Sequence, residues 1–288
     1  MKKLLVPTDF SAPAENAANY AVELACILEA DLVLCHAIPS QEAAPTPSQL
    51  AWPMLNEQQL RDETEGSLIA AVNQLLEGGC HNQKTYCPKI SFHYDEGKVA
   101  DVIEKFVKEL VPELVVMGLT GAGHLVQLAL GSNSKRMIDV ASSPVLYIPF
   151  SASFVPYRKI IFASDLQSDN LDALRHLVGI ARPFGAEILV YHVSNYKTRS
   201  LEEQHQLDRD FQDTVIAKLE YKHVKYYNVW HDNVDSALEW MRNQEGVDLL
   251  AMVHRRHNLI GRLLHGSHTQ KSSRLTSIPL LVYQTSNK

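Results

Sequence analysis

Lys3–Ser11 reads KLLVPTDFS, and Lys159–Ser168 reads KIIFASDLQS. Each begins with a short apolar run, closes on a polar turn, and carries an aspartate, Asp9 or Asp165, 156 positions apart. The same offset relates Ala30–Ile38 (ADLVLCHAI) to Ala186–Ser194 (AEILVYHVS) and sets His36 on His192. Further on the offset is 135. Glu113–Met117 (ELVVM) falls on Asp248–Met252 (DLLAM), Gly131-Ser132 on Gly266-Ser267, and Pro144–Leu146 on Pro279–Leu281. The chain is therefore an internal repeat of two similar units. The first is longer by about 21 residues, much of it in the Pro-, Ser-, Gln- and Ala-rich loop Pro39–Pro53.

Within each copy, β-rich runs alternate with helical patterns. In the first, the spacing predicts strands at Leu4–Pro7, Leu32–Ala37, Ile90–Tyr94, Leu114–Met117 and Val145–Ile148. Ser11 is an N-cap with Pro13 in the first turn, and Ala17, Ala21, Leu24, Ala25 and Leu28 continue that helix. Helices are also predicted over Glu57–Leu76, Val99–Leu110 and Ser132–Ala141. Strands apolar on both faces, alternating with helices, imply a parallel sheet covered on both sides. Right-handed crossovers make it doubly wound. Two α/β domains result, 1–150 and 151–288, with a linker near Phe150–Tyr157.

At 288 residues, each half is large enough to form a core without disulfides. A net charge of −6 gives no electrostatic footprint for nucleic acid or an anionic membrane. No apolar run approaches the roughly 20 residues of a membrane helix. Met1–Val6 is too short for a secretory signal and reads as a first strand. Cys26, Cys35, Cys80 and Cys87 form no CxxC pair, and reduced thiols in a cytoplasm are the expectation.

In a doubly wound sheet, ligands bind beyond the carboxyl ends of the strands, where strand order reverses. Pro7-Thr8-Asp9, Ala37 and the glycine-rich stretch Gly118–Gly123 all follow strands, and Gly131-Ser132-Asn133 opens a helix. Glycines let backbone N–H groups approach a phosphate, and a helix start adds free N–H groups and a favourable dipole. The stretch is neither a Walker loop nor the dinucleotide fingerprint. Alone it reads equally well as a tight turn.

The combination is more specific. Gly118-x2-Gly121-x9-Gly131-Ser132 resembles the ATP-binding signature of universal stress proteins. So do Leu5–Ser11, His36, Gly97 and Pro144-Val145, and the resemblance recurs across both halves. It implies two tandem Rossmann-like sheets of five strands, order 3-2-1-4-5, paired as an internal pseudo-dimer. It also implies ATP, with or without Mg, in the first half. Pro7, Thr8, Asp9 and Ala37 would line the adenosine. Met117, Gly118, Gly121, Gly131, Ser132 and Asn133 would hold phosphates and sugar, and Val145 would pack from the fifth strand. Family members commonly dimerise along strand five, so the two halves resemble a covalent pseudo-dimer; a further homodimer and an unidentified protein partner are left open.

The second half departs from this pattern. Val253, Arg256 and Asn258 replace Gly118, Gly121 and Gly123, and Ala163-Ser164 replace Pro7-Thr8. ATP is not expected there. His254-Arg255-Arg256-His257, Arg262, His265 and His268 read as a solvated basic loop, an anion pocket or a metal site, with the arginines opposing a metal. No catalytic constellation appears. Asp9 is a lone acid, with His124, Lys135 and Arg136 the nearest accessory groups. The expectation is a regulatory binding module rather than an enzyme. A ligand-free adaptor and a slow ATPase are the alternatives.

Overall fold

A computed structural model describes residues 1–39, 57–78, 86–119, 142–167, 170–194, 200–231, 246–254 and 278–284. The first half contains β1 (Lys2–Pro7), α1 (Ala12–Leu28), β2 (Ala30–Ile38), α2 (Glu57–Gly78), β3 (Ile90–Glu96), α3 (Val99–Leu110), β4 (Leu114–Leu119) and β5 (Val145–Pro149). The second contains β6 (Lys159–Ser164), α4 (Asn170–Ala181), β7 (Glu187–Ser194), α5 (Leu201–Thr214), β8 (Val224–Trp230), β9 (Leu249–His254) and β10 (Leu280–Gln284). Short 3-10 turns follow α4 and α5. The predicted helix at Ser132–Ala141 and most of the predicted loop, residues 40–53, lie outside the described residues.

The strands form one sheet in the order β3-β2-β1-β4-β5-β10-β9-β6-β7-β8. Each half thus has the order 3-2-1-4-5. The halves join through β5 and β10, the one antiparallel pairing among the described strands. Its register sets Leu146 against Leu281 and Tyr147 against Leu280. Leu146 and Leu281 are equivalent by the 135-residue offset, so a pseudo-twofold axis passes between them, normal to the sheet. The carboxyl edges of the two halves consequently point in opposite directions.

Two buried layers flank the sheet. Leu4, Val6, Leu32 and Leu34 face α1 and α2, and Ile160, Phe162, Ile188 and Val190 continue that layer beneath α4 and α5. Leu5, Val33, Val115 and Met117 face α3. Alternate residues of each strand thus feed opposite layers, which is why the strands read as continuous apolar runs. Helix α1 lies close to the sheet because Ala14, Ala17, Ala18, Ala21 and Ala25 face inward. Ser11 caps it, its hydroxyl accepting from Ala14 N.

The segment between the halves is anchored rather than loose. Asn16 donates through Nδ2 to the carbonyls of Pro149 (3.2 Å) and Ala152 (3.1 Å). Tyr20 and Tyr157, both buried, share a hydroxyl–hydroxyl bond of 3.0 Å. Phe154 and Phe184 close an aromatic cluster around them. None of the helices is long and apolar enough to cross a membrane, among the described residues.

Candidate functional site

The carboxyl edge of the first half takes its shape from one backbone feature. Glu113 N donates to Lys3 O, so Lys3, Leu5 and Pro7 present their peptide groups to β4. Thr8 N donates to Cys35 O, so the intervening residues present theirs to β2. Pro7 has no N–H to offer β4. The β1–β4 ladder accordingly ends after Leu4↔Leu114 and Leu5↔Val115. The flanking pairings run on, β1–β2 to Pro7↔Cys35 and β4–β5 to Leu119↔Pro149. Hydrogen bonding between β1 and β4 therefore stops short of the carboxyl edge and leaves a gap in the ladder where strand order reverses.

Around this gap stand six of the predicted site residues. Pro7 ends β1, Thr8 follows it half-buried, and Asp9 is exposed. Ala37 lies one residue from the end of β2 and packs on the α3 side. Met117 and Gly118 lie near the end of β4. The β1–β4 register, carried three residues beyond Leu5, brings Thr8 level with Gly118. Val145 is not brought there. It pairs with Val115 at the amino end of β5, fully buried, three residues below the row of Gly118. Gly121, Gly131, Ser132 and Asn133 lie outside the described residues, as do Gly123, His124, Lys135 and Arg136.

The turn after β1 is held by its own side chains. Phe10 N donates to Thr8 Oγ1 (3.0 Å). Ser11 donates to Asp9 Oδ1 through its N–H (3.1 Å) and its hydroxyl (2.5 Å). Phe10 adopts the left-handed region, φ 60°, where a bulky residue is uncommon. Its ring, 41% exposed, lies 4.8 Å from that of His36. His36 Nδ1 stands 2.7 Å from Thr8 O. A carbonyl only accepts, so Nδ1 carries the proton and pins the turn. Asp9 is thus oriented through Oδ1, while Oδ2 has no partner among the described residues. Burial pushes the Cys35 thiol up, so it is chemically quiet beside the gap.

Gly118 has a second reason to be glycine. The sequence places it in the turn after the fourth strand, but β4 continues through Leu119, with Gly118 paired to Ile148. A Cβ there would overlap the Pro13 carbonyl oxygen and stand 2.6 Å from Pro13 C and 3.1 Å from Ala14 N. The start of α1 therefore crosses directly over β4 at this point.

The second half repeats the turn and closes the gap. Leu166 has φ 63°, Leu166 N donates to Ser164 Oγ, and His192 Nδ1 donates to Ser164 O (3.0 Å). Ala163 replaces Pro7 and keeps its N–H. The β6–β9 ladder runs through four pairs, Ile160↔Leu249 to Ala163↔Met252, two further than its counterpart. Asn170, fully buried, donates through Nδ2 to Asp165 Oδ1 (2.7 Å) and Gln167 O (2.8 Å). Ala14 occupies the equivalent position in the first half, so Asp9 has no such tether. Val253 packs against the buried layer beneath α4. The sequence reading singles out Val253 as the replacement for Gly118 and misses Asn170. The Ala14-to-Asn170 exchange was the available signal. Of the His/Arg-rich loop only His254 is described, and Arg255–His268 lie outside. No group of three or more His, Cys, Asp or Glu side chains is placed to hold a metal, among the described residues.

A model of the universal stress protein family matches residues 1–149 and again 156–284. Universal stress protein MJ0531 of Methanocaldococcus jannaschii is 29% identical over 147 residues, covering 51% of this chain and 81% of that protein. Universal stress protein Slr1230 of Synechocystis is 25% identical over 218 residues, covering 75% and 70%. A universal stress protein from Archaeoglobus fulgidus shares the fold over 98% of each chain, with a TM-score of 0.71 at 16% identity. Matched once in each half, the chain belongs to the universal stress protein family and carries its fold twice in tandem.

Proposed function

We propose that this is a cytoplasmic regulatory protein that binds ATP, with or without Mg, in its first half only. The observation that carries the reading is the parted β1–β4 ladder. A gap at the switch point of a doubly wound sheet is where a nucleotide enters, and Pro7 opens it in one half while Ala163 leaves it closed in the other. Pro7, Thr8 and Ala37 would line the adenosine, and Asp9, oriented through Oδ1, would accept hydrogen bonds from it through Oδ2. Met117 and Gly118 border the gap from β4. Gly121, Gly131, Ser132 and Asn133 would supply the backbone and hydroxyl donors for the phosphates. The ordering of these loops by ATP would bias a surface read by a protein partner. In the second half, Asn170 instead holds Asp165 Oδ1 and the β6–β9 ladder runs two pairs further, which argues against a matching site.

Titration calorimetry with ATP on wild type, Gly121→Arg and Asp165→Asn tests this. Binding in wild type and Asp165→Asn, with loss in Gly121→Arg, is the expected pattern. Binding that survives Gly121→Arg and fails in Asp165→Asn would move the site to the second half. No binding in any of the three would leave a ligand-free adaptor.

A further inference from the structure

The two joints beside the pseudo-twofold axis are not chemically equivalent. Tyr20 on α1 and His176 on α4 are related by the 156-residue offset, and each reaches a buried hydroxyl. Tyr20 meets Tyr157, a pair that does not ionise near neutrality because burial pushes both hydroxyls up. His176 bridges the halves. Its Nε2 is 3.2 Å from the Glu113 carbonyl oxygen, and its Nδ1 is 3.0 Å from the hydroxyl of Tyr283. Glu113 leads into β4 of the first half, whereas Tyr283 belongs to β10 of the second.

These partners fix the tautomer. The carbonyl only accepts, so Nε2 carries the proton and Nδ1 accepts from the Tyr283 O–H. The neutral ring is satisfied at both nitrogens. A second proton on Nδ1 would make both nitrogens donors. The Tyr283 oxygen would then have to accept, and its own proton would turn into a core where no other acceptor stands among the described residues. Tyr283 is 5% exposed, so water does not readily take that role.

We propose that His176 is a proton-sensitive joint at the seam: the neutral ring takes the Tyr283 hydroxyl on Nδ1, and protonation breaks that bond within the second half while Nε2–H keeps its bond to Glu113 across the seam. The charged and titratable groups around it come from four elements. The Glu113 carboxylate, 3.5 Å from Nε2, favours protonation, and Lys2 on β1 opposes it. Tyr283 of β10 stays protonated because burial raises it. On α4 itself, Asp172 and Arg175 pair with each other at 3.5 Å. Desolvation outweighs Glu113 and holds the His176 ring below the ordinary histidine value of 6.5. In an unfolded chain the ring charges below about pH 6.5, but in the folded chain it charges only at a lower pH. The joint's contribution is therefore complete above pH 6.5 and is lost as pH falls through the folded value.

The test is a pH series on the full chain from pH 8 to 5, comparing wild type with His176→Gln, whose amide can still donate to Glu113 O. Urea unfolding gives the equilibrium constant. NMR gives the His176 titration, assigned through its contact with the Tyr283 ring so that it does not depend on the variant folding. Below pH 6.5, wild type should lose folding equilibrium relative to the variant by up to about tenfold per pH unit, one proton's linkage. The ring should titrate below 6.5, and lower still in Glu113→Gln. Superimposable pH profiles, or a ring titrating at or above 6.5, would overturn the proton-sensitive His176–Tyr283 bond. Neither result depends on nucleotide binding.

Discussion

Adding a single methyl group at Gly118 separates two explanations of this glycine. In Gly118→Ala the new Cβ would overlap the Pro13 carbonyl oxygen and lie 2.6 Å from Pro13 C. Ordinary contact between carbons is ~3.5–4.0 Å, so the start of α1 must move by roughly 1 Å. The obstacle is backbone, so no rotamer change relieves it. Alanines already hold α1 close to the sheet and leave it little room to rise. Overpacking of this kind costs about 1–3 kcal/mol, and the backbone shift places Gly118→Ala near the upper end. At roughly 2–4 °C per kcal/mol for a domain of this size, Tm should fall by about 6–12 °C. Thermal unfolding measures that loss, and ATP titration well below Tm measures binding by the folded fraction. Displacement of α1 also moves Ser11 and, through it, Asp9, so weaker binding should accompany lower stability. If Gly118→Ala leaves Tm within ~1 °C yet abolishes ATP binding, Gly118 serves the ligand alone and the helix-crossing argument is refuted.

Four other substitutions probe the same framework. Pro7→Ala restores an N–H facing β4, so ATP binding should weaken while urea stability holds or rises by up to ~1 kcal/mol; stronger ATP binding would contradict the parted ladder. Ala163→Pro removes a ladder donor in the second half and should cost about 1–3 kcal/mol in urea unfolding, and an unchanged midpoint would mean that Ala163 N–H is not used. His36→Leu deletes the donor that pins Thr8 O, worth ~1 kcal/mol, so calorimetry should show about fivefold weaker ATP binding; unchanged affinity would separate that pin from the site. Tyr20→Phe leaves the buried Tyr157 hydroxyl unpaired and should lower stability by about 1–3 kcal/mol without changing its pH dependence, whereas a new acid sensitivity would break the contrast with His176.

Much of the fold was legible because the repeat is written twice. Val99–Leu110 forms α3 with the bounds its apolar stripe predicts, and Ser11 caps α1 as its position suggests. Other strand ends extend beyond the apolar runs. β2 begins at Ala30, and β4 carries through Gly118 to Leu119, because pairing with a neighbour decides where a strand stops. The segment after Phe150 reads as a linker from Ser151, Ser153 and Pro156. Its anchoring by Asn16 and Tyr20 comes from contacts more than a hundred residues apart in sequence, which no local pattern announces.

The candidate site was legible as chemistry more than as geometry. Pro7, Thr8, Asp9, Ala37, Met117 and Gly118 come to one edge because each ends or follows a strand that the topology gathers at the reversal point. Val145 opens its strand instead of ending it, and parallel pairing with Val115 carries it to the far end. Asn170 was overlooked because its position is an ordinary helix start until Asp165 is known to lie within hydrogen-bond reach. The part played by Pro7 was hidden for a related reason. A missing N–H matters only when the strand it faces is known.

The proposed function requires one nucleotide site per chain, in the first half. The most direct measurement is to purify the full chain without added nucleotide, denature it, and quantify the released small molecules by mass spectrometry. The same preparation, stripped and reloaded with ATP, would then be weighed intact. Adenine nucleotide is expected at one per chain, absent from Asp9→Ala and retained in Asp165→Ala. Two per chain, or none after reloading, would contradict it.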